Sequence, residues 1–79
     1  MRLNEAIAAR IRELCKERDM TQYKLHLVSG VPQSTLSTIL SCSFPSMKVR
    51  IIYEICEGLQ ISLEEFFCSP LFERENIEE

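Results

Sequence analysis

The apolar positions of the chain recur with the period of a helix, and no stretch shows the strict alternation of a strand. The first apolar run shares one helical face: Leu3, Ile7, Ile11, Leu14 and Cys15. It predicts a helix that begins after an N-cap at Asn4 and ends near Arg18. A later run also shares one face: Ile51, Ile52, Ile55, Cys56 and Leu59. It predicts a helix that begins near Ser46 and is stopped by Gly58.

Two shorter helices are predicted between these runs, on either side of a glycine. Thr21 is a good N-cap for a helix over 22–29. Gly30 can adopt the left-handed conformation that turns a chain sharply at a helix end. Pro32 suits the first position of the next helix, over 32–40, because its missing N–H has no intrahelical role there.

A fifth helix is predicted after Ser62, which can form a capping box with Glu65, and this helix would end at Phe67. The residues after it, 69–79, form a short acidic tail that could fray or add a helical turn. The pattern therefore predicts an all-α domain over 1–68, in which five short helices surround one core. The tail that follows could assist dimerisation.

Length and composition exclude several classes of protein. A chain of 79 residues has no room for a second domain and buries only about 60% of its unfolded surface. No stretch approaches the roughly 18 apolar residues of a membrane span, and the charged N-terminus is unlike a secretory signal. Because Cys15, Cys42, Cys56 and Cys68 are widely spaced and His26 is the only histidine, we expect reduced thiols in the core rather than disulfides or a metal site.

Charge is divided unevenly along the chain. The net charge is −3, which taken alone argues against a nucleic-acid partner. Residues 1–50 carry eight basic and four acidic side chains, a net +4, and residues 51–79 carry one basic and eight acidic side chains, a net −7. Solvated helix faces account for most of these charges. The division still matters, because a polyanion responds to the local field rather than to the net charge.

The short helix, the glycine turn and the second short helix form a helix-turn-helix pattern over 21–40, in which the second helix lies in the major groove of DNA. The pattern reads Thr21-Gln22-x-x-Leu25, Ser29-Gly30-Val31, Gln33-Ser34-Thr35-Leu36-Ser37 and Ile39. A later segment reads Ile55-Cys56-x-Gly58-Leu59-x-Ile61-Ser62-Leu63-x-x-Phe66-Phe67. In these motifs the chain resembles the Cro/C1 (XRE) family of DNA-binding repressors, over roughly residues 3–67. The resemblance implies a compact five-helix, lambda-repressor-like fold with helices 2 and 3 as the helix-turn-helix.

The outer face of the third helix carries small polar side chains and no charge: Gln33, Ser34, Ser37 and Thr38. Glutamine can pair with two edge atoms of adenine, hydroxyl groups are adaptable partners, and the threonine methyl can contact the thymine methyl. The resemblance places Gln33, Ser34 and Thr38 at the usual base-reading positions of the family. We therefore predict that all four side chains contact bases. The alternative is an ordinary solvent-exposed face of an amphipathic helix.

Residues around this face are candidates for contacts with DNA phosphates. Gln22 opens the second helix, where free backbone N–H groups favour an anion, and the resemblance assigns it the same role. The other candidates are Lys24, Ser41, Ser43, Ser46 and Lys48. For each serine the alternative is simple capping or turn chemistry. With so few positive charges at this edge, we expect a shallow salt dependence of DNA binding.

The sequence departs from the family pattern at three places. His26 stands where alanine is usual, and we expect a partly buried ring satisfied by a hydrogen bond, with pH sensing as the alternative. Cys15 and Leu40 replace an arginine–glutamate ion pair found in many members, which exchanges charge for packing. Cys42 replaces a glycine or asparagine, and the loop before Pro45 is shorter than usual.

A single recognition helix touches only a few base pairs. We therefore expect a homodimer on a palindromic operator, with its recognition helices about 34 Å apart. Phe66 is expected in the core, and the candidates for the dimer interface are Phe67, Leu71 and Phe72. The sequence thus predicts a cytoplasmic repressor of transcription that binds double-stranded DNA, without a cofactor or small-molecule substrate.

The alternative function is a protein-interaction module with the same fold, such as an antitoxin-like adaptor whose acidic C-terminal third binds a basic protein partner. An enzyme is not expected. One histidine, no clustered acid pair and no glycine-rich phosphate loop leave little from which to build an active site.

Overall fold

The structure, a computed structural model, describes residues 1–44 and 46–79. Over these residues the chain forms five α-helices, in the order α1 (Leu3–Glu17), α2 (Gln22–Ser29), α3 (Gln33–Leu40), α4 (Val49–Leu59) and α5 (Leu63–Phe67). Two short 3₁₀ helices, Pro70–Phe72 and Arg74–Asn76, follow α5. No helix within these ranges is long and apolar enough to cross a membrane. The predicted all-α, five-helix fold is confirmed.

The core lies where the helices converge, and every helix contributes to it. The fully buried side chains include Ile11, Leu25, Leu36, Ile39, Ile55 and Phe66. Burying one such side chain contributes about 1.5–3 kcal/mol relative to leaving it exposed. Most apolar positions of the runs predicted for α1 and α4 therefore point inward, as the helical period predicts. Leu3 belongs to the run of α1, but its side chain at the start of the helix is 43% exposed.

Two of the helix caps predicted from the sequence, at Thr21 and Ser62, are present. The Thr21 hydroxyl accepts a hydrogen bond from the Lys24 backbone N–H at 3.0 Å, which caps α2. The Ser62 hydroxyl accepts one from the Glu65 N–H at 3.0 Å, which caps α5. Each cap satisfies a backbone donor that the helix leaves free, a contribution of about 1 kcal/mol.

The N-cap predicted at Asn4 is wrong, because α1 begins earlier, with Arg2 as its N-cap. The Glu5 carboxylate accepts the Arg2 backbone N–H at 2.6 Å, so Glu5 caps the helix from inside its first turn. Asn4 instead makes a tertiary contact. Its amide donates to the backbone carbonyls of Cys42 at 3.3 Å and Phe44 at 2.9 Å, and thereby ties α1 to the segment after α3.

The start of α4 near Ser46 is also wrong, because the helix begins at Val49 with Lys48 as its N-cap. Phe44 and Met47, which precede the helix, pack against the core. Pro45, which the sequence places in this segment, lies outside the described residues.

Gly58 does not stop α4. The helix ends at Leu59, and the chain reverses at Gln60, whose φ of 60° lies in the left-handed region. Gly58 serves a different purpose, because a Cβ at this position would lie 2.9 Å from both the Cα and the N of Ser29. Real Cβ atoms do not approach a backbone so closely. The absence of a side chain therefore lets α4 pack against the end of α2.

The acidic tail is ordered by the N-terminus of the chain. The Met1 ammonium group donates to the Asn76 carbonyl at 2.9 Å, and the Glu78 N–H donates to the Met1 carbonyl at 2.8 Å. The Glu79 carboxylate accepts the Leu3 N–H at 2.8 Å. Of the two outcomes expected for the tail, it adopts the helical one, in the form of the two 3₁₀ helices.

The four cysteines are free thiols in different surroundings. Cys56 is buried, Cys15 and Cys42 are half-buried, and Cys68 is exposed. The prediction of core thiols is therefore confirmed for Cys56 and wrong for Cys68. Burial raises the pKa of the Cys15 and Cys56 thiols above the ordinary cysteine value, so both are neutral at pH 7.

Candidate nucleic-acid interface

The turn between α2 and α3 is held by hydrogen bonds of the backbone and of His26. Gly30 has a φ of 76°, and its N–H donates to the His26 carbonyl at 3.0 Å. Val31 is buried, and its carbonyl lies 2.8 Å from the His26 Nδ1. Pro32 precedes α3 as its N-cap rather than occupying its first position. The left-handed glycine and the partly buried, hydrogen-bonded histidine are thus as predicted.

The polar side chains on the outer face of α3 differ in exposure and in hydrogen bonding. Gln33, Ser34 and Ser37 are exposed, and Thr38 is half-buried. The Thr38 hydroxyl donates to the Ser34 carbonyl at 2.8 Å, one helical turn back, which leaves its methyl and an oxygen lone pair available. Within the described residues the side chains of Gln33 and Ser34 make no hydrogen bond. Their polar groups are therefore free to bind a ligand.

Gln22 joins α2 to the outer face of α3. It is the first residue of α2, and its side-chain Nε2 donates to the Ser37 hydroxyl at 2.9 Å. A residue predicted to contact phosphate and a residue predicted to contact bases thus share a hydrogen bond. The two sets of candidates lie on one continuous surface at this point.

The end of α3 forms a Schellman motif around Cys42. The Cys42 N–H donates to the Ile39 carbonyl at 3.0 Å, and the Ser43 N–H donates to the Thr38 carbonyl at 3.0 Å. Cys42 has a φ of 61°, in the left-handed region that favours glycine. This conformation accounts for the glycine or asparagine that is usual here.

The serines after α3 form a small hydroxyl cluster on this motif. The Ser41 hydroxyl donates to the Thr38 carbonyl at 3.1 Å, and its oxygen lies 2.8 Å from the Ser43 hydroxyl oxygen. Both side chains are exposed. The Ser41 hydroxyl caps the helix end, so the turn chemistry considered as an alternative from the sequence is present at this residue. The Ser43 hydroxyl retains capacity for a further partner.

The three remaining phosphate candidates, Lys24, Ser46 and Lys48, are exposed. Lys24 lies in the first turn of α2, Ser46 lies in a bend, and Lys48 is the N-cap of α4. Their side chains make no hydrogen bond or ion pair within the described ranges. Two ammonium groups are therefore available to an anion at the ends of two helices that flank α3.

Arg12 contributes to this surface and was missed by sequence reasoning. Its Nη2 donates to the Leu40 carbonyl at 2.6 Å, so α1 holds the C-terminal end of α3. Cys15 and Leu40, which stand in place of the family's ion pair, both pack against the core and line one pocket. The polar part of the connection between α1 and α3 is therefore made by an arginine and a backbone carbonyl. Because the acceptor is a backbone carbonyl, no residue type in the sequence marks Leu40 as the partner of Arg12.

The candidates for a dimer interface lie in an aromatic cluster at the end of α5. The Phe67 ring lies 4.9 Å from the ring centroids of both Phe66 and Phe72. Phe66 is fully buried, as predicted, and Phe67 is 38% exposed. Leu71 and Phe72 are half-buried, and Phe72 packs against the core. Phe67 is therefore the most accessible of the three candidates.

Phe67 also lines an apolar groove of about 250 Å³ between the starts of α1 and α4. Leu3 and Val49 also line this groove, and they are 43% and 66% exposed. Neither residue was predicted to lie at an interface. Leu3 was predicted to face the core with the apolar run of α1, whereas Val49 lies outside the apolar run of α4, so only Val49 carried a signal in the sequence.

Comparison with protein families gives one match: the model of the Cro/C1-type HTH DNA-binding domain matches residues 10–68. Comparisons with curated proteins and with solved structures gave no significant match. The matched residues include the helix-turn-helix, the Schellman motif after α3 and all of α4 and α5. They make up most of the chain, and their helices follow the order and turn geometry described above. The chain therefore belongs to the Cro/C1-type helix-turn-helix family of DNA-binding domains.

Proposed function

We propose that this protein is a sequence-specific transcriptional regulator that reads the major groove with α3 and represses by occluding a promoter. The observation that carries the proposal is the exposed, uncharged polar face of α3 within a Cro/C1-type domain. Its base contacts are assigned to Gln33, Ser34, Ser37 and Thr38. Amide and hydroxyl groups can make directed hydrogen bonds to base edges, and such bonds distinguish one base pair from another.

Gln33 is the principal reader in this proposal. It is the first residue of α3, its side chain is exposed, and its amide carries both a donor and an acceptor. That pairing matches N7 and N6 of adenine in the major groove. The Gln22 bond to Ser37 supports a fixed orientation of the serine hydroxyl, so Ser37 contacts a base while Gln22 contacts the adjoining backbone.

The remaining backbone contacts are assigned to Lys24, Ser41, Ser43, Ser46 and Lys48. Their exposure around α3 supports this assignment. Since only two of the five carry charge, binding is expected to weaken less steeply with salt than for a strongly basic protein.

The protein is proposed to act as a homodimer on a palindromic operator. Support comes from the exposed apolar side chains around Phe67, with Leu71 and Phe72 beside it. A two-fold axis through this region would present two copies of α3 to successive major grooves, about 34 Å apart. The acidic tail would then lie with the interface and away from the duplex.

The test is selection of binding sequences from a random duplex library, followed by fluorescence anisotropy on the selected duplex and a scrambled duplex at low salt. We expect the selected sequences to contain an inverted repeat, with half-sites separated by one helical turn. Equal binding to both duplexes would overturn the proposal. A transcription assay with the operator placed across a promoter then distinguishes repression from activation.

A second candidate function is favoured by one feature of α2. Tyr23, Leu27 and Val28 are large apolar side chains on this short helix, and they are 57%, 55% and 39% exposed. A protein-interaction module, with an acidic C-terminal third that binds a basic partner, would use such a surface. It predicts a complex of fixed stoichiometry with one protein and the same anisotropy response to every duplex.

A further inference from the structure

A pocket of about 310 Å³ lies at the corner where α1, the start of α2 and the end of α3 meet. Apolar side chains, Ile11 and Leu25 among them, line its inner part. Arg12, Lys16 and Gln22 also line it, and these three bring polar groups to the opening. The pocket thus combines two cationic side chains with an amide on the same surface as the outer face of α3.

The two cations are not neutralised by neighbouring carboxylates. The ion pairs in residues 1–44 and 46–79 are Arg10 with Glu13, Arg18 with Glu17, and Arg50 with Glu54. Arg12 and Lys16 take part in none of them. One turn apart on α1, they present their charges to the same opening.

Arg12 is oriented while it keeps capacity to bind. Its Nη2 donates to the Leu40 carbonyl at 2.6 Å, which holds the guanidinium at the end of α3. A guanidinium has five N–H donors in a planar fork, so several remain after this bond. This geometry suits a phosphate, whose oxygens accept two parallel N–H bonds.

The pocket adjoins the base-reading face through Gln22. Gln22 lines the pocket and donates to Ser37 on α3. It is also the first residue of α2, where the backbone N–H groups of the helix start carry partial positive charge. An anion in the pocket would therefore lie beside the surface that meets the bases.

We propose that this corner binds a phosphate of the DNA backbone, with Arg12 and Lys16 as its cationic ligands. This inference rests on the proposed DNA-binding function and adds two residues to its contact surface. Arg12 has two roles, since it holds the end of α3 through Leu40 and contacts the phosphate. Bound phosphate then fixes the depth of α3 in the groove without reading sequence.

The experiment compares Lys16→Gln, Lys16→Arg and Arg74→Gln with the unmodified chain. Lys16 and Arg74 are both exposed, and Arg74 lies in the second 3₁₀ helix, so Arg74→Gln is a matched control for loss of one charge. Anisotropy with the selected duplex and with a scrambled duplex gives Kd over a range of salt concentrations. Circular dichroism melts verify that each variant is folded.

We expect Lys16→Gln to lower the slope of log affinity against log salt by about 0.9, the value for loss of one phosphate contact. Over a tenfold range of salt this corresponds to about eightfold weaker binding at the low-salt end. Affinity for both duplexes should fall by the same factor, because the contact is independent of sequence. Lys16→Arg and Arg74→Gln should keep the original slope.

Two results would overturn the inference while leaving the proposed function intact. One is an unchanged slope for Lys16→Gln in a protein that still distinguishes the two duplexes. The other is an equal loss of slope for Arg74→Gln, which would assign the effect to net charge. If the unmodified chain fails to distinguish the duplexes, the proposed function itself fails. Arg12→Gln provides a second measurement, with the same loss of slope expected and a lower melting temperature from the lost Leu40 contact.

Discussion

The inner and outer sides of the helix-turn-helix differ in how tightly they are packed. The inner side is packed against α4, and the outer side is exposed to solvent. On the inner side, the end of α2 lies so close to α4 that a Cβ at Gly58 would come within 2.9 Å of the Ser29 Cα. On the outer side, Gln33 and Ser34 extend from α3 into solvent. The inner side has no room for a Cβ at Gly58. The outer side carries polar side chains that are free to bind a ligand. The inner side thus fixes the position of the helix-turn-helix, and the outer side is the one proposed to recognise DNA.

The largest expected effect is on the inner side. Gly58→Val should lower the free energy of unfolding by about 3 kcal/mol, because the added atoms meet the backbone of α2, which cannot rotate away. Gly58→Ala should cost less, since alanine regains about 1 kcal/mol of helix propensity. Urea unfolding followed by circular dichroism measures both values.

Gly58→Ala also tests whether the inner side is as tightly packed as the structure indicates. At an unobstructed helix position, alanine in place of glycine stabilises. If Gly58→Ala were more stable than the original chain, close contact between α2 and α4 would be contradicted. Gly30→Ala is a useful contrast, because no atom lies within 4 Å of its added Cβ and the cost arises from the φ of 76° alone.

The next effect is on the outer side and concerns binding. Gln33→Ala should cost about 1–3 kcal/mol for duplexes with the preferred base at one operator position, and little when that base is changed. Lys24→Gln is the matched control, and it should weaken binding to all duplexes equally. Anisotropy against a set of single-base operator variants separates the two patterns.

Stability is the internal control for this prediction. Gln33 is exposed, so Gln33→Ala should leave the melting temperature nearly unchanged. A uniform loss of affinity across the whole duplex set would show that Gln33 acts on the backbone of DNA, and the division of roles between the two sides would need revision.

The smallest expected effect is on stability and concerns Cys42, in the turn after α3. Cys42→Gly should raise the free energy of unfolding by about 1 kcal/mol, because glycine adopts the left-handed conformation without the Cβ clash that cysteine bears. Cys68→Gly makes the same chemical change at an ordinary φ of −82° and should not stabilise. Thermal melts of the two variants give the comparison, and equal shifts would contradict the role of φ.

The sequence predicts those parts of the fold that depend on local chemistry. Thr21 and Ser62 cap their helices because a hydroxyl before a helix start accepts a nearby N–H, whatever the rest of the chain does. Asn4 has the same local signature, but its amide binds the carbonyls of Cys42 and Phe44, about forty residues away in the chain. No residue near Asn4 in the sequence indicates its contact with these distant carbonyls.

The ends of the helices are likewise only partly predictable from residue types. Gly30 signals its left-handed turn by residue type, whereas Asp19, Cys42 and Gln60 adopt positive φ without a glycine. All three form the paired backbone hydrogen bonds of a Schellman motif, which involve no side chain. Gly58, by contrast, looks like a helix stop and is a packing residue. Residue chemistry and the resemblance to a family together indicated the candidate site. Arg12, whose partner is the backbone of Leu40, lies outside what either can indicate.

The close contact at Gly58 has a consequence for how the protein opens. An isolated helix of eight residues, such as α2, has no stability of its own in water. Its amide protons should therefore exchange with solvent at the rate of α4, with which it forms one cooperative unit. The stiffness of the surface proposed to face DNA would then depend on α4, which packs behind it. A loosened Gly58 contact would appear first as faster amide exchange in α2.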